Sequence, residues 1–269
     1  MPRIALGLEY DGSAFSGWQS QAHASGVQSA LEQALSRVAN HPIEVFAAGR
    51  TDAGVHALMQ VVHFDSDSVR SERGWVLGAN TNAPTSISAL WAREVSDAFH
   101  ARYSAFARRY RYVILNRMPR PALAANRVSW IRDPLDAGLM HAAAQALIGE
   151  HDFTSFRAAE CQAHTPMRQM HEITVERRGE LVVISVLANA FLHHMVRNIA
   201  GVLIAIGTGE RPVNWAAEVL AARDRKQGGI TAPAEGLYLA GVRYSQALGL
   251  PSEPATILPV ACPVHADQV

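Results

Sequence analysis

The chain has 269 residues, 49% hydrophobic and 18% charged, with 24 basic against 24 acidic side chains. That is the make-up of a soluble globular enzyme with room for one large domain or two small ones. Its neutral balance alone argues for neither a nucleic-acid nor a membrane partner. Cys161 and Cys262 are far apart and form no CxxC pair, which fits a reduced, cytoplasmic protein. The start, MPRIALGLEYDG, lacks the apolar stretch of a signal peptide. The most apolar run, MVRNIAGVLIAIG, is too short for a membrane span and reads as a core helix.

In chain order, RIALGLEY places Ile4, Leu6, Leu8 and Tyr10 on one side of a strand. SGVQSALEQALSRVAN reads as a helix, with Ser25 and Gln28 at capping-box spacing and Val27, Leu31, Leu35 and Val38 along one face. IEVFAA and MQVVHF read as strands flanking a glycine-rich loop, GRTDAGVHA. ISALWAREV and YRYVIL are further strands. The second half offers a helix in LDAGLMHAAAQALIGE and strands in HEITVERR and LVVISVLA. Helices follow in HHMVRNIAGVLIAIG and VNWAAEVLAARD, and GLYLAGVRY is a last strand. This order predicts an α/β subdomain over 1–105, a second over 106–245, and a Pro-rich irregular tail over 246–269.

Four features carry candidate chemistry. Asp52 is a lone carboxylate between Arg50 and His56, in a loop that Gly49 and Gly54 allow to be tight. An Asx turn, or the N-cap of a short helix over AGVHA, is its purely structural alternative. Arg197 and Asn198 are the two polar residues of an otherwise apolar or small-residue helix over 195–206, where a guanidinium needs a carboxylate, a phosphate or the solvent edge. Tyr110 and Tyr112 share one face of a strand and Arg109 and Arg111 the other. Rings beside guanidinium groups suit nucleic acid, and equally a packed sheet. Finally, no Asp or Glu occurs from Ala98 through Arg132, while Arg102, Arg108, Arg109, Arg111, Arg117, Arg120, Arg127 and Arg132 do. His193 and His194 are adjacent and expected to diverge, and no HExxH or CxxC spacing appears, so no metal is expected. FDSDSV resembles the DxD of an aspartyl-phosphate phosphatase, but the only lysine is Lys226, and only the scattered Glu235, Glu253 and Asp267 follow it where an acidic pair for magnesium is wanted.

GRTDAGVHA, preceded by YDGSAFSGWQSQ and followed by ARRYRYVILN, EHDFTSFRA, NAFLHHMVRNIAG and AEGLYLAGVRY, resembles the tRNA pseudouridine synthase A family in five or more ordered blocks from about residue 4 to residue 244. The resemblance implies an α+β fold of two ferredoxin-like, RRM-like α/β subdomains. These join into one mainly antiparallel sheet with the active cleft between them. It implies a cofactor-free isomerase that breaks the N1–C1′ bond of uridine, turns the base and rejoins it through C5. By the same resemblance Asp52 is the catalytic aspartate and Arg197 its cationic partner. Tyr110 stacks on the target base, and Arg50 helps the nucleotide leave its stack. Phe191 and His193 line the cleft, and Arg102, Arg108, Arg109 and Arg111 meet phosphates. The implied partner is the anticodon arm of tRNA, on the 3′ side of the stem-loop, bound by a homodimer whose two subunits both touch one tRNA. A non-catalytic tRNA-binding protein on the same fold is the alternative.

Overall fold

The computed structural model describes residues 1–19, 25–161 and 163–251. The fold class is α+β: among these residues there are ten strands, mostly antiparallel, and five α-helices. They fall into two compact units, Met1–Arg109 with the segment from Tyr238, and Tyr110–Leu237. The last strand thus packs with the first unit, where the sequence reading kept it in the second. Pro254, Pro259, Pro263 and Cys262 of the expected tail lie outside the described residues.

In the first unit β1 (Arg3–Tyr10) runs between β3 (His56–Asp65) and β4 (Ile87–Val95), antiparallel to both. Its apolar alternation works on both faces, because a central strand of a covered sheet is buried on both. Leu6 and Leu8 are fully buried on one side. Ala5, on the other, joins Met59, Val61, Phe99, Val242 and Tyr244 in a separate cluster. Gly7 is small by necessity, since a Cβ there would fall 2.1 Å from the Trp91 ring. The far edge of β3 is shared. β2 (Phe46–Ala47) pairs with its end, and β10 (Leu237–Arg243) runs parallel to its start. With α1 (Val27–Ala39) and α2 (Glu72–Asn82) the order is β1-α1-β2-β3-α2-β4, with β4-β1-β3-β2 across the sheet, a ferredoxin-like arrangement.

Two details depart from the sequence reading here. The capping box at Ser25 is not formed. Gly26 is the N-cap, and the first helical N–H groups go instead to the carbonyls of Gly17 (3.1 Å from Val27 N) and Trp18 (2.9 Å from Gln28 N). α2 was not foreseen at all. Its Ser71 hydroxyl caps it by accepting from Gly74 N at 3.0 Å.

In the second unit β5 (Ala107–Asn116, its first residues still in unit one) leads to β6 (Ser129–Ile131), which runs parallel to it. Next come α3 (Ala137–Ala144), β7 (Gly149–Asp152) and β8 (Met167–Arg178). β9 (Leu181–Ala188), α4 (Met195–Gly207) and α5 (Trp215–Ala222) complete it. The strand order is β5-β9-β8-β7. β8 and β9 form a hairpin around Gly179, whose positive φ of 61° suits the turn. α4 is the core helix anticipated from MVRNIAGVLIAIG, buried at nine of its thirteen residues. No helix among the described residues is long and apolar enough to cross a membrane.

Candidate active site

Asp52 sits in the loop that joins β2 to β3, and four upstream residues, Tyr10, Gly12, Gly17 and Trp18, fix that loop. β1 ends by delivering Gly12 against Val55: a Cβ on Gly12 would lie 2.0 Å from the Val55 carbonyl oxygen, so only glycine fits. The Gly12 N–H donates to His56 Nδ1 at 3.0 Å. Gly17, at φ +103°, lays its backbone on the Thr51–Ala53 peptides, and Trp18 N–H donates to Thr51 O at 2.9 Å. The hydroxyls of Tyr10 and Thr51 meet at 2.8 Å in a buried bond. Burial pushes the Tyr10 phenol well above its ordinary pKa, so it keeps its proton. On the strand side Gln60 Nε2 donates to Gly49 O at 2.7 Å, and His56 stacks on Tyr238 with centroids 4.7 Å apart. The loop closes in a turn at Ala53–Gly54, with Val55 N–H on Asp52 O at 3.1 Å. No helix forms over 53–57, because His56 already belongs to β3. Asp52 is half-buried on this frame, and Arg50 is exposed.

In the second unit the chain before α4 turns sharply at His194, which takes a left-handed φ of 60°. That conformation brings the rings of His193 and His194 to 4.0 Å, so they do not diverge as neighbours on a strand would. The turn is tied down by Ala158 N–H on His193 O (3.0 Å) and by His193 N–H on Cys161 Sγ (3.4 Å). Phe191 meets Tyr110 edge to face at 5.0 Å. One turn into α4, Arg197 is half-buried and holds residue 232 reciprocally. Its Nε donates to Ala232 O at 2.7 Å while its own carbonyl accepts Ala232 N–H at 3.1 Å. Gly201 lets this strap approach, since a Cβ there would fall 1.8 Å from Ile230 O. Asn198, buried beside it, uses both ends of its amide. Nδ2 donates to Phe156 O at 2.7 Å, and Oδ1 accepts from Arg225 (3.0 Å) and Thr231 (2.7 Å).

Comparison with known proteins gives this arrangement its family. A family model described as tRNA pseudouridine synthase matches residues 8–104 and 143–245. The chain belongs to that family. The tRNA pseudouridine synthases it resembles include one named tRNA pseudouridine synthase A from Nitrosococcus oceani, 59% identical over 95% of this chain and 99% of the relative. Another of that name, from Shewanella sp. strain MR-4, is 56% identical over 93% and 95%. One from Coxiella burnetii strain Dugway 5J108-111 is 57% identical over 94% and 97%. The synthase family is one of isomerases. The family match covers Arg50, Asp52, Arg102, Phe191, His193 and Arg197. Its gap, 105–142, contains Arg108, Arg109, Tyr110 and Arg111.

The structure sorts the remaining candidates of this pseudouridine synthase chain. Asp52, Arg50, Arg102, Arg108 and Arg109 belong to the first unit, and Tyr110, Arg111, Phe191, His193 and Arg197 to the second. The pair of stacking tyrosines is not available as such. Tyr112 is fully buried and donates its hydroxyl to Pro233 O at 2.9 Å, and only Tyr110 retains a little exposure. Arg108 directs its guanidinium at backbone carbonyls, to Ala48 (3.0 and 3.3 Å), Ala105 (3.0 Å) and Arg102 (2.6 Å). It thereby ties the approach to Arg50 and Asp52 to the 102–105 loop. Arg117 pairs with Glu180 at 3.0 Å. Arg109 and Arg111 are half-buried. The sequence reading noticed Asn198 as the other polar residue of α4 but gave it no part. Its partners Arg225 and Thr231 lie about 30 positions on, and no local signal ties them together.

Proposed function

We propose that this chain isomerises uridine to pseudouridine in the anticodon stem-loop of tRNA, on its 3′ side, as a cytoplasmic homodimer in which one tRNA touches both subunits. The observation that carries the reading is the Asp52 loop. It is one ionisable carboxylate, held by Gly12, Gly17, Trp18 and the Tyr10–Thr51 bond, in a chain of this family. The reaction suits a single carboxylate, because nothing is added and nothing leaves overall. The N1–C1′ bond breaks, C1′ rejoins at C5, the C5 hydrogen departs as a proton and N1 ends protonated. Asp52 is assigned as the catalytic carboxylate and Arg197 as its cationic partner. Tyr110 is assigned to the target base and Arg50 to drawing the nucleotide from its stack, a step needed to expose the glycosidic bond. Phe191 and His193 complete the walls, and Arg102, Arg109 and Arg111 supply phosphate contacts. Arg108 acts as the clamp described above.

The test is to incubate the protein with an unmodified tRNA transcript and map carbodiimide adducts by primer extension. Stops confined to the 3′ side of the anticodon stem-loop are expected. Stops only in another arm would refute the substrate assignment, and free uracil in the supernatant would make the protein a glycosidase.

A further inference from the structure

Soluble proteins bury most of their phenylalanine and tyrosine side chains, yet three aromatic rings of the first unit stand in solvent. Phe46 is 43% exposed, Tyr103 76% and Phe106 59%. Two of them end a ladder of rings. Phe46 stacks on His63 at 5.1 Å and 22°, and His63 meets His100 at 4.5 Å. His100 in turn lies 4.3 Å from Tyr103. The ladder is anchored, since His63 is only 2% exposed and its Nδ1 accepts Ala101 N–H at 3.1 Å. Its outer rung is also set in place. His100 Nδ1 accepts the N–H groups of Arg102 (3.1 Å) and Tyr103 (3.4 Å), and His100 N–H donates to Ser104 Oγ (3.0 Å). Arg108 pins the Arg102 carbonyl. The Arg102 guanidinium lies 5.7 Å from the Tyr103 ring.

We propose that the Phe46–His63–His100–Tyr103 ladder with Arg102 is a stacking shelf for an unpaired nucleotide of the RNA substrate, a contact additional to the nucleotide that reacts. The inference rests on the tRNA reading above. An exposed, preorganised aromatic face accepts any base by stacking, and a guanidinium at its edge meets the neighbouring phosphate. The charge of the segment points the same way, with no carboxylate anywhere in residues 98–132. A second copy of the chain docked on this face would have to cover the Arg102 guanidinium with no acid from that span to meet it, and interface cores are depleted in charge.

The test uses three variants of the full chain, Tyr103→Ala, Tyr103→Phe and Phe46→Ala, with unmodified tRNA transcript. Kd is read by filter binding, turnover at saturating tRNA by tritium release from uridine C5, and assembly by sedimentation. Loss of a stacking ring should weaken binding about tenfold or more in both alanine variants. Tyr103→Phe, which keeps the ring, should bind as wild type does. Turnover at saturation and sedimentation should not change, because the shelf does not touch the reacting atoms. Unaltered Kd in both alanine variants overturns the proposal. So does a change in sedimentation that accounts for the weakened binding, which would make the face a contact between copies. Binding and tritium release are scored separately. A wild type that binds through the shelf but releases no tritium counts against the isomerase reading and not against the shelf.

Discussion

Acidification should loosen the first unit through His63. The ring is 2% exposed, wedged between Phe46, Phe99 and His100, with Nδ1 occupied as an acceptor by Ala101 N–H. Burial, first of all, and then the neighbouring His100 and Arg3 lower its pKa from 6.5 to about 4. Asp65 and a hydrogen bond with the Phe46 backbone pull weakly the other way. The folded pKa lies below the unfolded one, so the unfolded chain takes the proton first. The stability that neutral His63 protects is therefore complete above about pH 6.5 and drains away as pH falls toward about 4. A difference of about 2.5 units at about 1.4 kcal/mol each is worth about 3 kcal/mol in total, of which about 2 kcal/mol is lost between pH 7 and pH 5. Urea unfolding followed by tryptophan fluorescence measures it, since Trp75 packs on Phe64 in this unit. His63→Asn keeps an acceptor for Ala101 N–H but cannot titrate. Wild type should lose about 2 kcal/mol more than this variant between the two pH values. Equal losses would show that His63 is not held neutral by the fold.

Other substitutions probe the frame around Asp52 and α4. Gly12→Ala drives a methyl into the Val55 carbonyl. It should cost about 1–3 kcal/mol in a melt and lower turnover more than tRNA binding, because the loop that carries the carboxylate must shift. Arg197→Met removes the donor to Ala232 O and the cation assigned to the proposed mechanism. It should destabilise by about 1.5–3 kcal/mol and abolish turnover, and unchanged values of both would leave Arg197 a mere surface residue.

How much of this could be read beforehand depended on the range of the interaction. α1, β8 and α4 show their periodicity locally, and their burial follows it, while β1 and β9 are legible as strands although they are buried on both faces. α2 does not, because only Trp75 and Ala79 are buried and Gly74 and Gly78 speak against a helix. Gly78 is there because a Cβ would press to 2.8 Å on Val38 of α1, a contact between helices that no window of sequence displays. The failed capping box at Ser25 has the same origin, since the helix start is satisfied by Gly17 and Trp18 outside it. At the site, Asp52 stood out as a lone carboxylate in a glycine-rich loop. The frame that holds it was not visible, for Gly12 meets Val55 and Tyr10 meets Thr51 across some forty residues. Tyr112 shows the limit of alternation as a guide, because period two separates the faces of a strand without saying which face is covered.

The most direct measurement is tritium release from tRNA labelled at uridine C5, wild type beside Asp52→Asn, with no metal or cofactor added. Joining C1′ to C5 must expel that hydrogen. Release by wild type, with none from a variant that still binds tRNA within a few fold, is the predicted result. Continued release by Asp52→Asn, or no release from a folded wild type that binds the unmodified transcript, would contradict the account.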